Sequence, residues 1–229
     1  RETNVSVIAN KNLYDLILCA DDGIILHCRQ AEMFPYGSTW LNRGKINHPD
    51  GLGYFSPDVE IFKKKERTIN DVSFLASWYD MDRPGYRLRR ELWARQSEIE
   101  IPTMFHTSLK SFLGATNPLP NGEKEALFYS AFHVCIENQS VKHYFTEKLI
   151  DSFLTYTIPI YWGCPNIGDY FNLDGMIIID SIEELIPKIN ELTLDSYYGK
   201  MDAMVENRKI AETYANFGER LISVIKENI

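Results

Sequence analysis

One stretch constrains the fold more than any other, residues 132–180. Its first apolar run, Phe132–Ile136, ends abruptly on Glu137 and Asn138. A polar loop follows, and Thr146, Glu147 and Lys148 open a helix. A second apolar run, Ile158–Trp162, stops at Gly163, Cys164 and Pro165, and a third short run leads to Asp180. Runs of this length without polar alternation read as strands buried on both faces. Strand, polar loop, helix, strand, turn, strand is the order of a nucleotide-binding α/β unit.

The rest of the chain extends that pattern. Val72–Ser77 reads as a strand, Pro84-Gly85 punctuates it, and a helix is predicted over 86–96 with Leu88, Leu92 and Trp93 on one face. A helix is predicted over 123–129, and Ser181 with Glu184 forms a capping-box pattern that starts another. The tail, 196–229, reads as two helical pieces broken near Asn216–Gly218. Strands alternating with helices predict a mostly parallel sheet covered on both faces. Ligands of such sheets sit beyond the carboxyl ends of the strands, here 77–82, Glu137/Asn138, Gly163/Cys164 and Asp180. Before Val72 the chain has only the apolar segments Leu13–Ala20 and Glu32–Tyr36, a loop-like stretch over 42–58 and a polar, linker-like stretch over 63–70. That is too little for a full second domain. The expected organisation is a partial N-terminal domain over 1–65, a nucleotide-binding domain over 66–195 and C-terminal helices over 196–229.

A net charge of -8 argues against a nucleic-acid partner, which would call for a basic face. The four cysteines form no CxxC pair, which fits a reducing compartment and an expected cytoplasmic location. No apolar run reaches the ~20 residues that span a bilayer. The chain starts at Arg1 without Met, so a preceding anchor and a membrane-peripheral position both stay open.

Two helix starts carry cations where the dipole favours anions. Lys148 lies in the first turn of its helix, and Arg89, with Arg87 and Arg90, near the start of another. Both lie near the carboxyl edge of the expected sheet. They read either as solvated charges or as cations that hold a diphosphate together with helix amides. Glu147 reads as a dipole-favoured carboxylate or as a ribose hydroxyl acceptor, and Thr146 as the N-cap. Glu137 and Asn138 end a buried strand and need hydrogen-bond partners there. Tyr144 reads as core or as a ring platform. Asp80-Met81-Asp82 is a DxD triplet of a kind that holds a divalent ion in some glycosyltransferases. Such triplets are common in loops, and cations for metal-free handling of phosphate are already present, so no metal is expected. The five histidines lack HxH or HxxH spacing, and neither GxGxxG nor GxxxxGK[ST] occurs.

Three ordered motifs then resemble one family. Ile136-Glu137-Asn138, Tyr144-Phe145-Thr146-Glu147-Lys148 and Ile158-Pro159-Ile160-Tyr161-Trp162-Gly163 resemble the donor-binding region of the α-1,3/4-fucosyltransferases, bacterial members above all. The segment from Pro84 to Arg89 resembles that family's arginine helix, and the segments Leu13–Leu16 and Phe34–Gly37 the end of its first domain. The resemblance implies an α/β, GT-B-like fold in which this chain holds a Rossmann-like donor domain and a reduced or incomplete N-terminal one. It implies inverting transfer of L-fucose from GDP-fucose to a glycan acceptor, with no cofactor required. Arg89 and Lys148 would hold the diphosphate, Asn138 and Glu147 would contact nucleoside or sugar, and Tyr144 would line the fucose pocket. The catalytic base would be Glu2, with Asp21 and Asp22 as fallbacks. A glycosyltransferase using another nucleotide sugar, or a non-catalytic nucleotide-sugar-binding remnant, is the alternative reading.

Overall fold

The computed structural model describes residues 2–41, 61, 63, 65–77, 82–108 and 111–229. The loop-like stretch 42–58 lies outside the described residues, as do Asp80 and Met81 of the DxD triplet.

The predicted α/β alternation forms a five-stranded sheet in the order β4-β3-β5-β6-β7, with every pairing parallel. Its strands are β3 (Val72–Ala76), β4 (Thr103–Thr107), β5 (Phe132–Ile136), β6 (Ile158–Trp162) and β7 (Ile177–Ile178). β5 is buried at every position, as its unbroken apolar run requires. The chain crosses from β3 to β4 through α3 (Pro84–Ala94), and from β5 to β6 through α4 (Glu147–Leu154). α3 begins two residues before the predicted start because Pro84, which has no N–H to leave unpaired, takes the first turn. The predicted helix over 123–129 is a 3₁₀ segment, Lys124–Tyr129.

The N-terminal part is a second, smaller unit. β1 (Ile17–Cys19) and β2 (Ala31–Met33) pair in parallel, with α1 (Glu2–Ala9) and α2 (Asp22–His27) beside them. Ile17, Cys19, Ile24, Cys28 and Ala31 form its own small core.

After β7 come α5 (Ile182–Asn190), α6 (Leu194–Tyr198), α7 (Met201–Ala215) and α8 (Phe217–Asn228). Ser181 caps α5 through Glu184 N–H, while the Glu184 carboxylate accepts from Asp180 N–H, one residue outside the usual box. The expected boundary at 195 falls inside α6. α7 and α8 meet at Asn216, within the predicted break. α7 lies on α4, where Arg208 Nη1 donates to the Leu154 carbonyl at 2.9 Å. Arg220 on α8 reaches back to the carbonyls of Pro35 and Gly37, which joins the tail to the end of the N-terminal unit. The stretch 65–70 is more than a linker. Arg67 is buried and donates to the carbonyls of Ser130, Phe128 and Thr155.

Candidate functional site

The carboxyl ends of β3 and β5, the start of α4 and the 3₁₀ segment surround a cleft of about 520 Å³. Arg89, Asn138, Glu147 and Lys148 line it, so four of the sequence-predicted residues come together. Tyr144 stands half-buried beside this group, its ring edge-on to Tyr36 at 6.3 Å. Glu2 opens α1, and its side chain lies outside the described residues. Of its fallbacks, Asp21 caps α2 through Ile24 N–H, and Asp22 accepts from His143 Nε2 at 2.9 Å. His143 sits in the left-handed region (φ 63) and its ring also meets Tyr170 Oη at 2.6 Å. Asp22 therefore ties the N-terminal unit to the loop ahead of α4.

The buried carboxylate of Glu137 organises the start of α4. It accepts from Thr146 N–H at 2.7 Å and from Thr146 Oγ1 at 2.9 Å, and lies 3.6 Å from Lys148 Nζ. The partner requirement that ended β5 in a carboxylate is met here. Burial pushes the Glu137 carboxyl up, and the Lys148 charge only partly offsets this. Thr146 caps the helix as predicted, its Oγ1 accepting from Lys148 N–H. Lys148 Nζ also lies 3.2 Å from Glu147 Oε1. Burial would lower the Lys148 ammonium, but Glu137 and Glu147 outweigh it and hold the pKa above its ordinary value. Glu147 behaves in the mirror sense: burial pushes it up, while Lys148 and Lys124 hold it below the usual range.

Arg89 is 5% exposed and packs its guanidinium 5.0 Å from the Tyr86 ring centre. It donates through Nε and Nη2 to the Ile136 carbonyl, and through Nη2 to Asn138 Oδ1 at 3.0 Å. Two of its nitrogens are thus engaged in fixing the end of β5. Gly85 makes that approach feasible, since a Cβ there would lie 1.8 Å from the Glu137 carbonyl oxygen.

Sequence reasoning passed over several residues. Lys124 is a third cation in the cleft, 3.7 Å from Glu147 Oε1 and 4.2 Å from the Trp40 ring centre. In the sequence it is one lysine at the start of the predicted helix over 123–129, with no motif to set it apart. Arg83 precedes α3, half-buried, and its charge acts on Tyr144. Asp151, one turn along α4 from Glu147, is fully buried in the cleft wall. Helical spacing from Glu147 places Asp151 on the same face, a signal available in the sequence. Asp82, the described residue of the DxD triplet, lies 3.4 Å from the exposed Arg87. Among the described residues no group of three or more His, Cys, Asp or Glu could hold a metal ion.

No family model matches the chain. Over 128 residues it is 34% identical to Alpha-(1,3)-fucosyltransferase FucT of Helicobacter pylori. This stretch is similar in sequence to an α-1,3-fucosyltransferase. The matched stretch is 56% of this chain but only 24% of that protein. In fold the chain is similar to a crystal structure of an α1,3-fucosyltransferase, with a TM-score of 0.54 and 22% identity over 87% of this chain and 61% of the other. A structure of α1,3-fucosyltransferase with GDP aligns equally, with a TM-score of 0.54 and 23% identity over 87% and 63%. The crystal structure of TarM aligns over all of this chain and 46% of its own length, with a TM-score of 0.53 at 9% identity. The resemblance read from the three motifs and the α/β, GT-B-like fold are borne out. Among the described residues no helix is long and apolar enough to cross a membrane.

Proposed function

We propose that this chain carries the donor-binding part of an inverting glycosyltransferase that moves L-fucose from GDP-fucose to a glycan hydroxyl. One observation carries the reading: Lys148, Arg89, Glu147 and Asn138 line a single cleft at the carboxyl edge of a parallel sheet. A diphosphate meets the Lys148 ammonium beside the first turn of α4, where the dipole also favours anions. Arg89 keeps its Nη1 for the phosphates while Nε holds the Ile136 carbonyl and Nη2 holds Asn138. Arg83 adds a cation on the Tyr144 side, where the fucose would lie. Glu147, ionised between two lysines, accepts from the ribose hydroxyls.

In transfer, the acceptor oxygen attacks the sugar C1 from the face opposite the leaving GDP, and the C1–O bond to the diphosphate breaks. The cations then stabilise the negative charge that grows on GDP, an effect larger in the transition state than in the bound donor. A carboxylate on the acceptor side takes the hydroxyl proton. Glu2 is our assignment for it, resting on the resemblance. The donor set requires no metal or cofactor in this scheme. A cytoplasmic setting is proposed from the cysteine pattern, since all four thiols are free and buried.

A thermal-shift screen of GDP-fucose, GDP-mannose, UDP-sugars and dTDP-sugars tests the reading. The expected result is stabilisation by GDP-fucose and GDP, worth ~2.7 kcal/mol at a hundredfold excess over the dissociation constant. Stabilisation by a uridine or thymidine diphosphate sugar alone would reassign the donor.

A further inference from the structure

Asp151 has an oxygen that the fold leaves unused. The residue is fully buried, and its Oδ1 accepts from Thr39 Oγ1 at 2.6 Å and from Trp40 N–H at 3.1 Å. Oδ2 is buried as well and has no hydrogen-bond partner among the described residues. A buried acceptor left unmade costs ~1–3 kcal/mol, more when charged. The two bonds to Oδ1 fix the carboxylate in one orientation, so Oδ2 is a rigid acceptor in the wall of the cleft.

Its position relative to the other residues indicates what it accepts from. Lys148 and Glu147 mark the phosphate and ribose ends of the proposed donor. Asp151 lies one turn deeper along α4, about 6 Å along the axis from Glu147. The base of a nucleotide lies beyond its ribose, on the side away from the phosphates. Trp40, whose N–H bonds Asp151, lines the same cleft together with Phe128 and His133. His133 is buried and neutral, with Nδ1 2.8 Å from Ser73 Oγ. These rings are suited to a flat heterocycle. A carboxylate edge favours a base with two adjacent donors. Guanine presents N1–H and its 2-amino group side by side. Adenine and cytosine place an acceptor next to their amine, and uracil flanks its N–H with carbonyls that a carboxylate repels.

We propose that Asp151 reads the base, its free Oδ2 accepting from the N1–H and 2-amino group of a guanine held in the part of the cleft lined by Trp40 and His133. The inference deepens the proposed function and rests on it. Asp151 is then the specificity-determining residue for the nucleotide, separate from the cations that hold the phosphates.

Calorimetry with GDP and IDP, which lacks only the 2-amino group, tests it on the whole chain and needs no variant for its first arm. The unaltered chain is expected to bind GDP about tenfold more tightly than IDP, the difference one charge-assisted hydrogen bond makes. Asp151→Asn should lower GDP affinity about tenfold or more and close most of the gap to IDP. Thr39→Val loosens the same segment without touching Oδ2, and should keep the gap. Equal binding of GDP and IDP by the unaltered chain overturns the inference alone, as does an unchanged gap in Asp151→Asn. A gap erased equally by Thr39→Val assigns the effect to the segment and also overturns it. Failure of the unaltered chain to bind any guanine nucleotide would overturn the proposed function, and this inference with it.

Discussion

Glu137 Oε2 lies 3.6 Å from Lys148 Nζ, so the proposed phosphate-binding cation is also the counter-charge of a fully buried carboxylate. Lys148→Ala therefore has two effects. The proposed phosphate contact gives a weakened donor site, and the pairing with Glu137 adds a stability cost. An unpaired buried carboxylate costs roughly 3–5 kcal/mol, less whatever Thr146 and protonation recover. The expected outcome is a melting temperature lower by several degrees, together with GDP affinity reduced ~10–100-fold. In Glu137→Gln/Lys148→Met the buried charge is gone. That variant should melt above Lys148→Ala while binding GDP no better. Differential scanning calorimetry and GDP titration of the two variants separate the roles.

Gly85 is a second point where the site depends on backbone placement. A methyl at Gly85 would meet the Glu137 carbonyl oxygen at 1.8 Å, and its N–H donates to the Asn138 carbonyl at 3.2 Å. Neither partner is a flexible side chain, so α3 must move away from the end of β5. Gly85→Ala should destabilise by about 2 kcal/mol or more, against the slight gain expected of Gly→Ala in an open helix. Urea unfolding measures it, and an unchanged midpoint would contradict the close approach.

Asp151 and His133 make opposing contributions to the pH dependence of stability. Burial raises the Asp151 carboxyl from 3.8 to about 7, with Lys124 opposing. Between those values the folded state holds more protons than the unfolded one, so stability falls as pH rises through about 4–7. Burial lowers His133 from 6.5 to about 3, with Lys124 adding to the shift. There the unfolded state holds more protons, so stability rises as pH rises through about 3–6.5. The two slopes oppose each other over most of their range. Asp151→Asn should expose the rising limb, up to ~1.4 kcal/mol per pH unit relative to the unaltered chain. His133→Gln should expose the falling one. Unfolding free energies from pH 4.5 to 7.5 that stay parallel in all three proteins would contradict this.

How far the sequence was legible follows from the range of each signal. β3, β5, β6, β7, α3, α4, the Thr146 cap and the break at Asn216 depend on local apolar runs and capping residues, and all appear close to where those signals put them, whereas the edge strand β4 carries no clear run. The cleft residues Asn138, Glu147 and Lys148 were visible because strand ends and helix starts carry them. Lys124 and Trp40 were not, because they join the site by tertiary approach from segments that carry no strand-end or motif signal. Arg89 shows the intermediate case. Its place at the cleft was legible, but its bonds to the Ile136 carbonyl and Asn138 were not, since nothing local marks a cation that serves a neighbouring strand. The Glu137 partners and the free oxygen of Asp151 likewise emerge only when α4 docks on β5.

Arg67 makes the same point about a stretch that looked like a polar linker. Its guanidinium, 4% exposed, donates from Nε to Ser130 at 3.0 Å and from Nη2 to Phe128 at 3.0 Å and Thr155 at 2.9 Å, in each case to the carbonyl. Those carbonyls belong to the segment entering β5 and the turn leaving α4, so one side chain fixes both ends of the β5-α4-β6 crossover. Arg67→Met keeps most of the apolar stem and removes the donors. The Thr155 carbonyl then loses its donor, while those of Phe128 and Ser130 keep only the Thr157 hydroxyl; each buried bond left unmade costs ~1–3 kcal/mol. The expected loss is about 3 kcal/mol or more, read as a lower urea midpoint with an unchanged slope. Because Arg67 lies outside the cleft lining, GDP affinity measured well below the variant's melting temperature should stay within about threefold of the unaltered chain. A variant that keeps its midpoint but loses GDP would place Arg67 in the site instead of beneath it.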